Sequence, residues 1–213
     1  MTRARACRRK STAWAKSLRG IDTWILSVWE SDPLEHSATW NRPLAKSNPQ
    51  FAAALDSWIA YLEQIGAGWV SEGAILLHRR DGKRHGARVD GIDDEELEAS
   101  GDQVRRAFAA RARLAELRRA DDLLDLKPSL AMHVELEREL TPRRSGNAEV
   151  AARVQLVDGT NSFVETTLDA LELVPLLDGS VKLRRLLRNA TPSARKSSVA
   201  LVRDLLELGA LKV

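Results

Sequence analysis

The feature that most constrains this chain is the stretch of residues 20–90, in which strand-like and helix-like patterns follow one another. Its first segment, Ile21–Trp29, is short, mostly apolar and rich in β-branched and aromatic residues, as expected of a buried strand. Residues 49–65 then place apolar side chains at helical spacing, with Asn48 as a candidate cap and Gly66 as a stop. This order of elements predicts an α/β fold.

Two further strands are predicted after the helix. Residues 74–78 form a second apolar run, and the dipeptide Asp81-Gly82 is one that two-residue hairpin turns favour. Residues 84–90 are therefore expected to return antiparallel to residues 74–78. Because a strand, a crossover helix and a strand normally make a parallel right-handed unit, we predict a parallel pair followed by an antiparallel hairpin.

Four phrases in this stretch are similar to those of a known family. They are Gly20–Leu26, Asp32-Pro33, Trp40–Leu44 and Gly73–Arg80. These phrases resemble the C-terminal half of bacterial HemK-like class I S-adenosylmethionine-dependent methyltransferases that carry an additional C-terminal domain. The resemblance implies that residues 20–90 are part of a Rossmann-like methyltransferase sheet, namely its last strands with a terminal hairpin. It also implies S-adenosylmethionine as a cofactor, which nothing else in the sequence indicates.

The loop that normally binds the methyl donor has no counterpart in this sequence. No glycine-rich strand-to-helix loop precedes Ile21, so we assign no catalytic and no cofactor-binding residue. The tetrapeptide at Asn48 looks like the Asn-Pro-Pro-aromatic motif of the family, but a helix begins there at once, and Asn48 is interpreted as a cap. We expect the chain to be inactive alone and to require a separate donor-binding half, as a truncated product or as half of a split enzyme.

Polar residues after the first strand are the candidates for contact with a substrate. The carboxyl ends of strands line the ligand crevice of open α/β sheets, and this loop follows such an end. A solvated loop with a turn at Asp32-Pro33, followed by a packed corner, explains the same residues. The substrate-side candidates, with His36 beside them, are Glu30, Asp32, Trp40, Asn41 and Arg42.

Composition excludes several classes of protein. The 33 basic and 30 acidic residues leave a net charge of +3, too small to indicate a nucleic-acid partner by itself. The single cysteine, Cys7, excludes an internal disulfide and favours the cytoplasm, and no apolar run approaches the roughly 18 residues of a membrane helix. Residues 1–19 form a basic N-terminal segment without acidic residues. We interpret its end as a short helix before Gly20 and the residues before Ser11 as a disordered start or as translation from a shifted start codon; a nucleic-acid arm and a transit peptide are the alternatives.

The tryptophans indicate a boundary near Gly91, because all six lie before residue 70. Residues 91–160 are predicted to be an α+β connecting region. It begins with an acidic run at residues 93–96, which we interpret as solvated rather than metal-binding. A helix over residues 103–119 follows, with six arginines on a face that we expect to be solvated and for which phosphate binding is the alternative. An antiparallel pair formed by residues 130–140 and 150–157 comes next.

Residues 161–213 are predicted to be a winged-helix-like module. Three short helices, over residues 167–177, 181–187 and from Thr191 onward, precede a strand at residues 210–213. Residues 176–187 resemble a phrase of small modules that are appended to modifying enzymes. If these helices face nucleic acid, the phosphate-binding candidates are Lys182, Arg184, Arg185 and Arg188.

Three functions follow from these patterns. The first is the C-terminal part of a methyltransferase, whose partners are an N-terminal half-enzyme or a protein substrate. The alternative is a standalone module that binds nucleic acid or protein through its winged-helix-like tail. A third is a structural subunit that pairs through the edge of its short sheet. None of the three functions requires a metal or a membrane. No Cys/His set has the spacing of a zinc site, and no apolar run is long enough for a membrane helix.

Overall fold

The computed structural model describes residues 13–15, 18–44, 48–80, 86–92, 101–117, 119–142 and 148–213. Helices and strands are mixed throughout these ranges, and the strands form several small sheets, so the predicted combination of helices and sheets is confirmed. The chain divides into two compact units. Unit 1 comprises residues 1–19, 23–77 and 87–91, and unit 2 comprises residues 20–22, 78–86 and 92–213.

The sheet that is built largely from unit 1 has three strands in the order β2-β1-β3, so that β1 is the central strand. β3 runs parallel to β1, with a register from Thr23 opposite Ala87 to Ser27 opposite Gly91. β2 runs antiparallel to β1, because its last residues lie beside the start of β1. The elements in chain order are β1 (Ile21–Ser31), α1 (Pro33–Trp40), α2 (Pro49–Gln64), β2 (Val70–Arg79) and β3 (Ala87–Gly91).

Two hydrogen bonds fix the direction of β2. The backbone N–H of Arg80 donates to the carbonyl of Gly20 at 2.9 Å, and the hydroxyl oxygens of Ser27 and Ser71 are 2.8 Å apart. The predicted parallel pairing of these two strands is therefore wrong. A long connection that carries two separate helices does not impose the geometry of a compact crossover unit.

The predicted terminal hairpin is also wrong, since β2 and β3 are separated by β1. Side-chain contacts of the buried central strand hold β3 beside β1. Trp24, which is 0% exposed, donates its indole N–H to the carboxylate of Asp90 at 2.7 Å, and the guanidinium of Arg88 donates to the same oxygen at 2.7 Å. The turn dipeptide Asp81-Gly82 lies outside the described residues.

Helices α1 and α2 each begin at a capping side chain, and α1 replaces the loop expected after Asp32-Pro33. The side chain of Asp32 accepts from the backbone N–H of Glu35 at 2.8 Å, and that of Asn48 accepts from Gln50 at 3.0 Å. Each cap is followed by a proline, whose missing N–H costs nothing in the first turn. The interpretation of Asn48 as a cap is confirmed, and α2 ends just before Gly66, whose φ is +67°.

Unit 2 combines a three-stranded antiparallel sheet with helices. β5, β6 and β7 follow one another in the order β5-β6-β7, and Val134 lies opposite Leu156 at one end of the β5–β6 pair, as the predicted antiparallel pairing requires. A short second sheet joins β4 to β8. The elements are α3 (Gly101–Glu116), a 3-10 helix (Ala120–Asp125), β4 (Ser129–Leu130), β5 (Val134–Pro142), β6 (Ala148–Leu156), β7 (Phe163–Thr166), α4 (Leu168–Leu171), a 3-10 helix (Val174–Leu176), α5 (Leu183–Leu186), α6 (Pro192–Glu207) and β8 (Leu211–Lys212).

The last helix supplies much of the core of unit 2. Thr191 caps it, and the apolar side chains of Val202, Leu205 and Leu206 are buried, each at most 1% exposed. The predicted helix over residues 167–177 is shorter than expected. It breaks into α4 and a 3-10 turn because Pro175 lacks the N–H that a continuous helix needs.

Two arginines of α3, Arg106 and Arg111, contact the end of α6, which corrects the expectation of a wholly solvated face, whereas Arg105 and Arg113 are exposed as expected. The side chain of Arg106 donates to the carbonyl of Gly209 at 2.9 Å, and that of Arg111 donates to the carbonyl of Glu207 at 2.9 Å. Cations stabilise helix C-termini because the last carbonyls there have no partner within the helix. The predicted acidic run at residues 93–96 lies outside the described residues.

A buried glutamine joins three segments of unit 2. Gln103, on α3, is 0% exposed. Its amide nitrogen donates to the hydroxyl of Thr160 and to the carbonyl of Leu208, both at 3.0 Å, and its amide oxygen accepts from the backbone N–H of Thr160 at 2.9 Å. This contact, which we call the Gln103 latch, ties α3 to the β6–β7 turn and to the end of α6.

Candidate functional site

Three tryptophans surround a buried histidine in unit 1. His36 and Trp40 lie four residues apart on α1, and this spacing places them on the same face of the helix. Trp29 comes from β1, Trp58 from α2 and Glu72 from β2. We call these five residues the indole cluster.

The rings of the indole cluster lie at distances typical of aromatic pairs. The centroid of the His36 ring is 6.4 Å from that of Trp29, 6.2 Å from that of Trp40 and 5.8 Å from that of Trp58. The planes of His36 and Trp29 differ by 29°, whereas those of the other two pairs differ by 51° and 47°. The imidazole is therefore enclosed by indoles on several sides.

Glu72 brings a carboxylate to the indole cluster. One of its oxygens accepts the indole N–H of Trp40 at 2.9 Å and lies 3.6 Å from Nδ1 of His36. That nitrogen is buried and makes no hydrogen bond within the described part of the chain. The side chain of Glu72 is 38% exposed and that of His36 is 11% exposed, so the carboxylate lies between the buried ring and solvent.

The outer side of the indole cluster is open to solvent. Trp40 is 57% exposed and Trp58 is 41% exposed. Indole faces attract cations through their quadrupole, and a neighbouring carboxylate adds to this attraction. The arrangement is therefore suited to holding a positively charged group, and no pair of its side chains forms a nucleophile with a base.

Of the five substrate-side candidates, only Trp40 belongs to the indole cluster. Asp32 uses its carboxylate as a helix cap, and the side-chain amide of Asn41 donates to the carbonyl of Ser37 at 2.8 Å, at the end of α1. The hydroxyl of Ser27 donates to the carboxylate of Glu30 at 3.4 Å. Arg42 is exposed. The side chains of Asp32 and Asn41 therefore cap the start and the end of α1.

Trp29, Trp58 and Glu72 carry no sequence pattern that assigns them to a site. The helical spacing of apolar residues in 49–65 includes Trp58 and predicts a packed side chain, yet Trp58 is 41% exposed. The only local signal for the cluster is the spacing of His36 and Trp40. The other three residues come from three different elements, whose arrangement depends on tertiary packing.

The four basic candidates of unit 2 are all exposed, and two of them contact an aspartate. Asp125 lies 3.5 Å from the ammonium of Lys182 and 3.4 Å from the guanidinium of Arg184. The hydrogen bond from Arg184 is the largest cause that lowers the pKa of Asp125 below its ordinary value, and the charges of Arg184 and Lys182 act in the same direction. Arg185 and Arg188 complete an exposed basic surface on and after α5.

The described residues do not fit the methyl donor that the resemblance implies. Unit 1 has a cavity of about 380 Å³ on β1 and β2, lined by Trp14, Ile25, Leu26, Ser71, Gly73, Ala74 and Ile75. Its lining has no charged side chain to meet the amino-acid end of S-adenosylmethionine, and no glycine-rich loop at a helix N-terminus opens into it. We therefore assign the donor to none of these residues.

Among the described residues, no group of three or more His, Cys, Asp or Glu side chains comes together as a metal site would require. None of the helices described combines the length and the apolar character needed to cross a membrane. No protein-family model matches the chain, and the search of curated proteins gives no match.

Proposed function

We propose that this chain is the C-terminal part of a class I S-adenosylmethionine-dependent methyltransferase and that it is inactive without a donor-binding half. The observation that carries the proposal is the position of β2, which is antiparallel to β1 and forms an edge of the described sheet. The resemblance of residues 20–90 implies a larger sheet, of which these strands are the last.

The edge formed by β2 is suited to the addition of a further strand. β2 has 10 residues, and it pairs only with β1 among the described strands. Ile75 and Leu77, which alternate along one face of β2, are each 55% exposed. Strands that are apolar and long are normally covered by neighbours, because an exposed apolar edge invites pairing with another chain.

The opposite edge of the sheet is less suited to this role. β3 has only five residues, and its Arg88 and Asp90 form an ion pair with a nitrogen–oxygen distance of 2.7 Å. Short strands and charged side chains are the usual means by which proteins protect an edge. A donor-binding half is therefore expected to extend the sheet along β2, which leaves β1 inside the completed sheet and β3 at its far edge.

Reconstitution tests this proposal. The donor-binding half of a HemK-like enzyme is mixed with this chain, and S-adenosylmethionine is titrated by calorimetry. We expect heat of binding from the mixture and none from this chain alone. The Ile75→Lys variant should fail to associate, whereas Leu176→Lys, which changes a 53% exposed leucine of unit 2, should associate normally. A folded, associated pair that binds no donor would refute the proposal.

Binding of nucleic acid by unit 2 is the second candidate function, and the exposed basic surface of α5 favours it. Phosphate contacts from Lys and Arg make such binding fall steeply with salt. A duplex DNA should then bind in a salt-dependent manner, and Arg184→Ala with Arg185→Ala should weaken binding more than Arg138→Ala, which changes an exposed arginine of β5. Equal binding by the two variants would argue against this function.

A further inference from the structure

We propose that the indole cluster is a binding site for a cationic, partly apolar segment of a protein partner. The binding itself does not depend on the proposed methyltransferase function. Identifying that partner as the methyl acceptor rests on the proposed function. Three features favour such a segment: the exposed indoles, the charge of the surrounding surface and an apolar stripe along α2.

The open indoles and the carboxylate supply the contact for the positive charge. Trp40 and Trp58 both flank His36, and both expose a large part of their rings. The carboxylate of Glu72 is held by the N–H of Trp40 and is still 38% exposed. A lysine or arginine side chain that reaches the two indoles therefore meets aromatic faces and a fixed negative charge at the same place.

The surrounding surface has the complementary charge. Residues 30–72 contain six carboxylates and only two basic residues, Arg42 and Lys46, although the whole chain has a net charge of +3. Within α1 and α2 no residue is Lys or Arg. A phosphate backbone or an anionic membrane is repelled by such a surface, whereas a cationic segment is attracted.

An apolar stripe extends from the cluster along α2. Tyr61 is 58% exposed and Ile65 is 56% exposed, and they follow Trp58 at intervals of three and four residues, which places all three on one side of the helix. The stripe covers two helical turns, or roughly 10 Å. A segment that carries apolar side chains next to its positive charges therefore fits this surface better than a fully hydrophilic one.

A designed peptide tests the proposal on the full chain. The probe is a 12-residue peptide of alternating Lys and Leu pairs, and the control peptide carries Glu in place of each Lys. Tryptophan fluorescence and calorimetry at low and high salt report binding. We expect the Lys peptide to bind, its affinity to fall as salt rises, and the Glu peptide not to bind.

Three variants separate the site from the rest of the surface. Trp58→Ala should weaken binding by about tenfold, as expected for the loss of a cation–π contact. Glu72→Gln keeps an oxygen for the N–H of Trp40 and removes only the charge, so it should weaken binding by about fivefold and reduce the salt dependence. Trp69→Ala is the matched control, because Trp69 is 39% exposed and lies outside the cluster. Circular dichroism establishes that each variant is folded.

Three results would overturn the proposal. One is equal binding of the Lys and Glu peptides, and another is unchanged affinity in both Trp58→Ala and Glu72→Gln. The third concerns the basic segment of this chain. If deleting residues 2–12 raises the affinity for the Lys peptide, that segment itself is the occupant and the assignment to a partner fails. Failure of the reconstitution with a donor-binding half leaves the peptide result unaffected, so the two proposals are tested separately.

Discussion

Replacement of Gln103 by Leu should destabilise unit 2 strongly, although the side chain keeps nearly the same size. The change removes the three hydrogen bonds of the Gln103 latch that join it to Thr160 and Leu208. The hydroxyl of Thr160 still has the hydroxyl of Ser162, 2.6 Å away. The backbone N–H of Thr160 and the carbonyl of Leu208 lose the partner that Gln103 provides.

The magnitude follows from those two groups. A buried polar group that is left without a partner costs about 1–3 kcal/mol, so the free energy of unfolding should fall by about 2–6 kcal/mol. Urea denaturation followed by circular dichroism measures this loss. Because all six tryptophans belong to unit 1, their fluorescence follows unit 1 separately. Gln64→Leu, which changes an exposed glutamine of α2, is the control.

The reasoning would be refuted by a loss below about 1 kcal/mol with an unchanged dependence on urea, since such a loss corresponds to a surface substitution. It would also be refuted if the midpoint of the fluorescence transition moved and that of the circular dichroism transition did not. That result would mean that the latch acts on unit 1 rather than on unit 2.

Three further predictions concern single residues. Gly209→Ala should destabilise unit 2 by more than about 1 kcal/mol, because Gly209 has a φ of +72° and an added Cβ would collide with the backbone oxygen of Gln103. Gly101→Ala is the control, since its added Cβ meets nothing within 4 Å, and it should be neutral. Thermal denaturation measures both variants. Asn48→Ala should lower the stability of unit 1 by about 1 kcal/mol through loss of the α2 cap, as read from the fluorescence midpoint in urea. NMR titration should show that the pKa of Asp125 lies below its ordinary value and that it rises in Arg184→Ala. Because folding lowers this pKa, any stabilisation from the ionised carboxylate is present above the pKa of the unfolded state. It is lost as the pH falls through the pKa of the folded state.

The sequence predicts α2 and α6 well because their signals are local. Asn48 and Thr191 each stand before a proline, and both prove to be caps. The pairing of the strands of the first sheet is not local. Asp81-Gly82 favours a hairpin, but the hydrogen bond from Trp24 to Asp90 joins residues 66 apart and places β3 beside β1. The burial of the central strand outweighs the local preference of Asp81-Gly82 for a hairpin turn.

The candidate site is predicted only in part for the same reason. His36 and Trp40 are four residues apart, but this spacing brings them together only because the segment expected to be a loop is the helix α1. Trp58 and Glu72 reach them only when α2 and β2 have packed, which no pattern along the chain encodes. The polar residues at Asp32 and Asn41 attract attention in the sequence, yet their side chains hydrogen-bond to the backbone of α1.

The central position of β1 has a consequence for the nascent chain. β1 is synthesised first, but its two neighbours are β2 and then β3, so the sheet is complete only when Gly91 has left the ribosome. At 5–20 residues per second, the roughly 60 residues that follow β1 take about 3–12 s to make. During that time an apolar strand with two tryptophans has an unfilled edge, and it is the segment of the emerging polypeptide that a chaperone is expected to bind first.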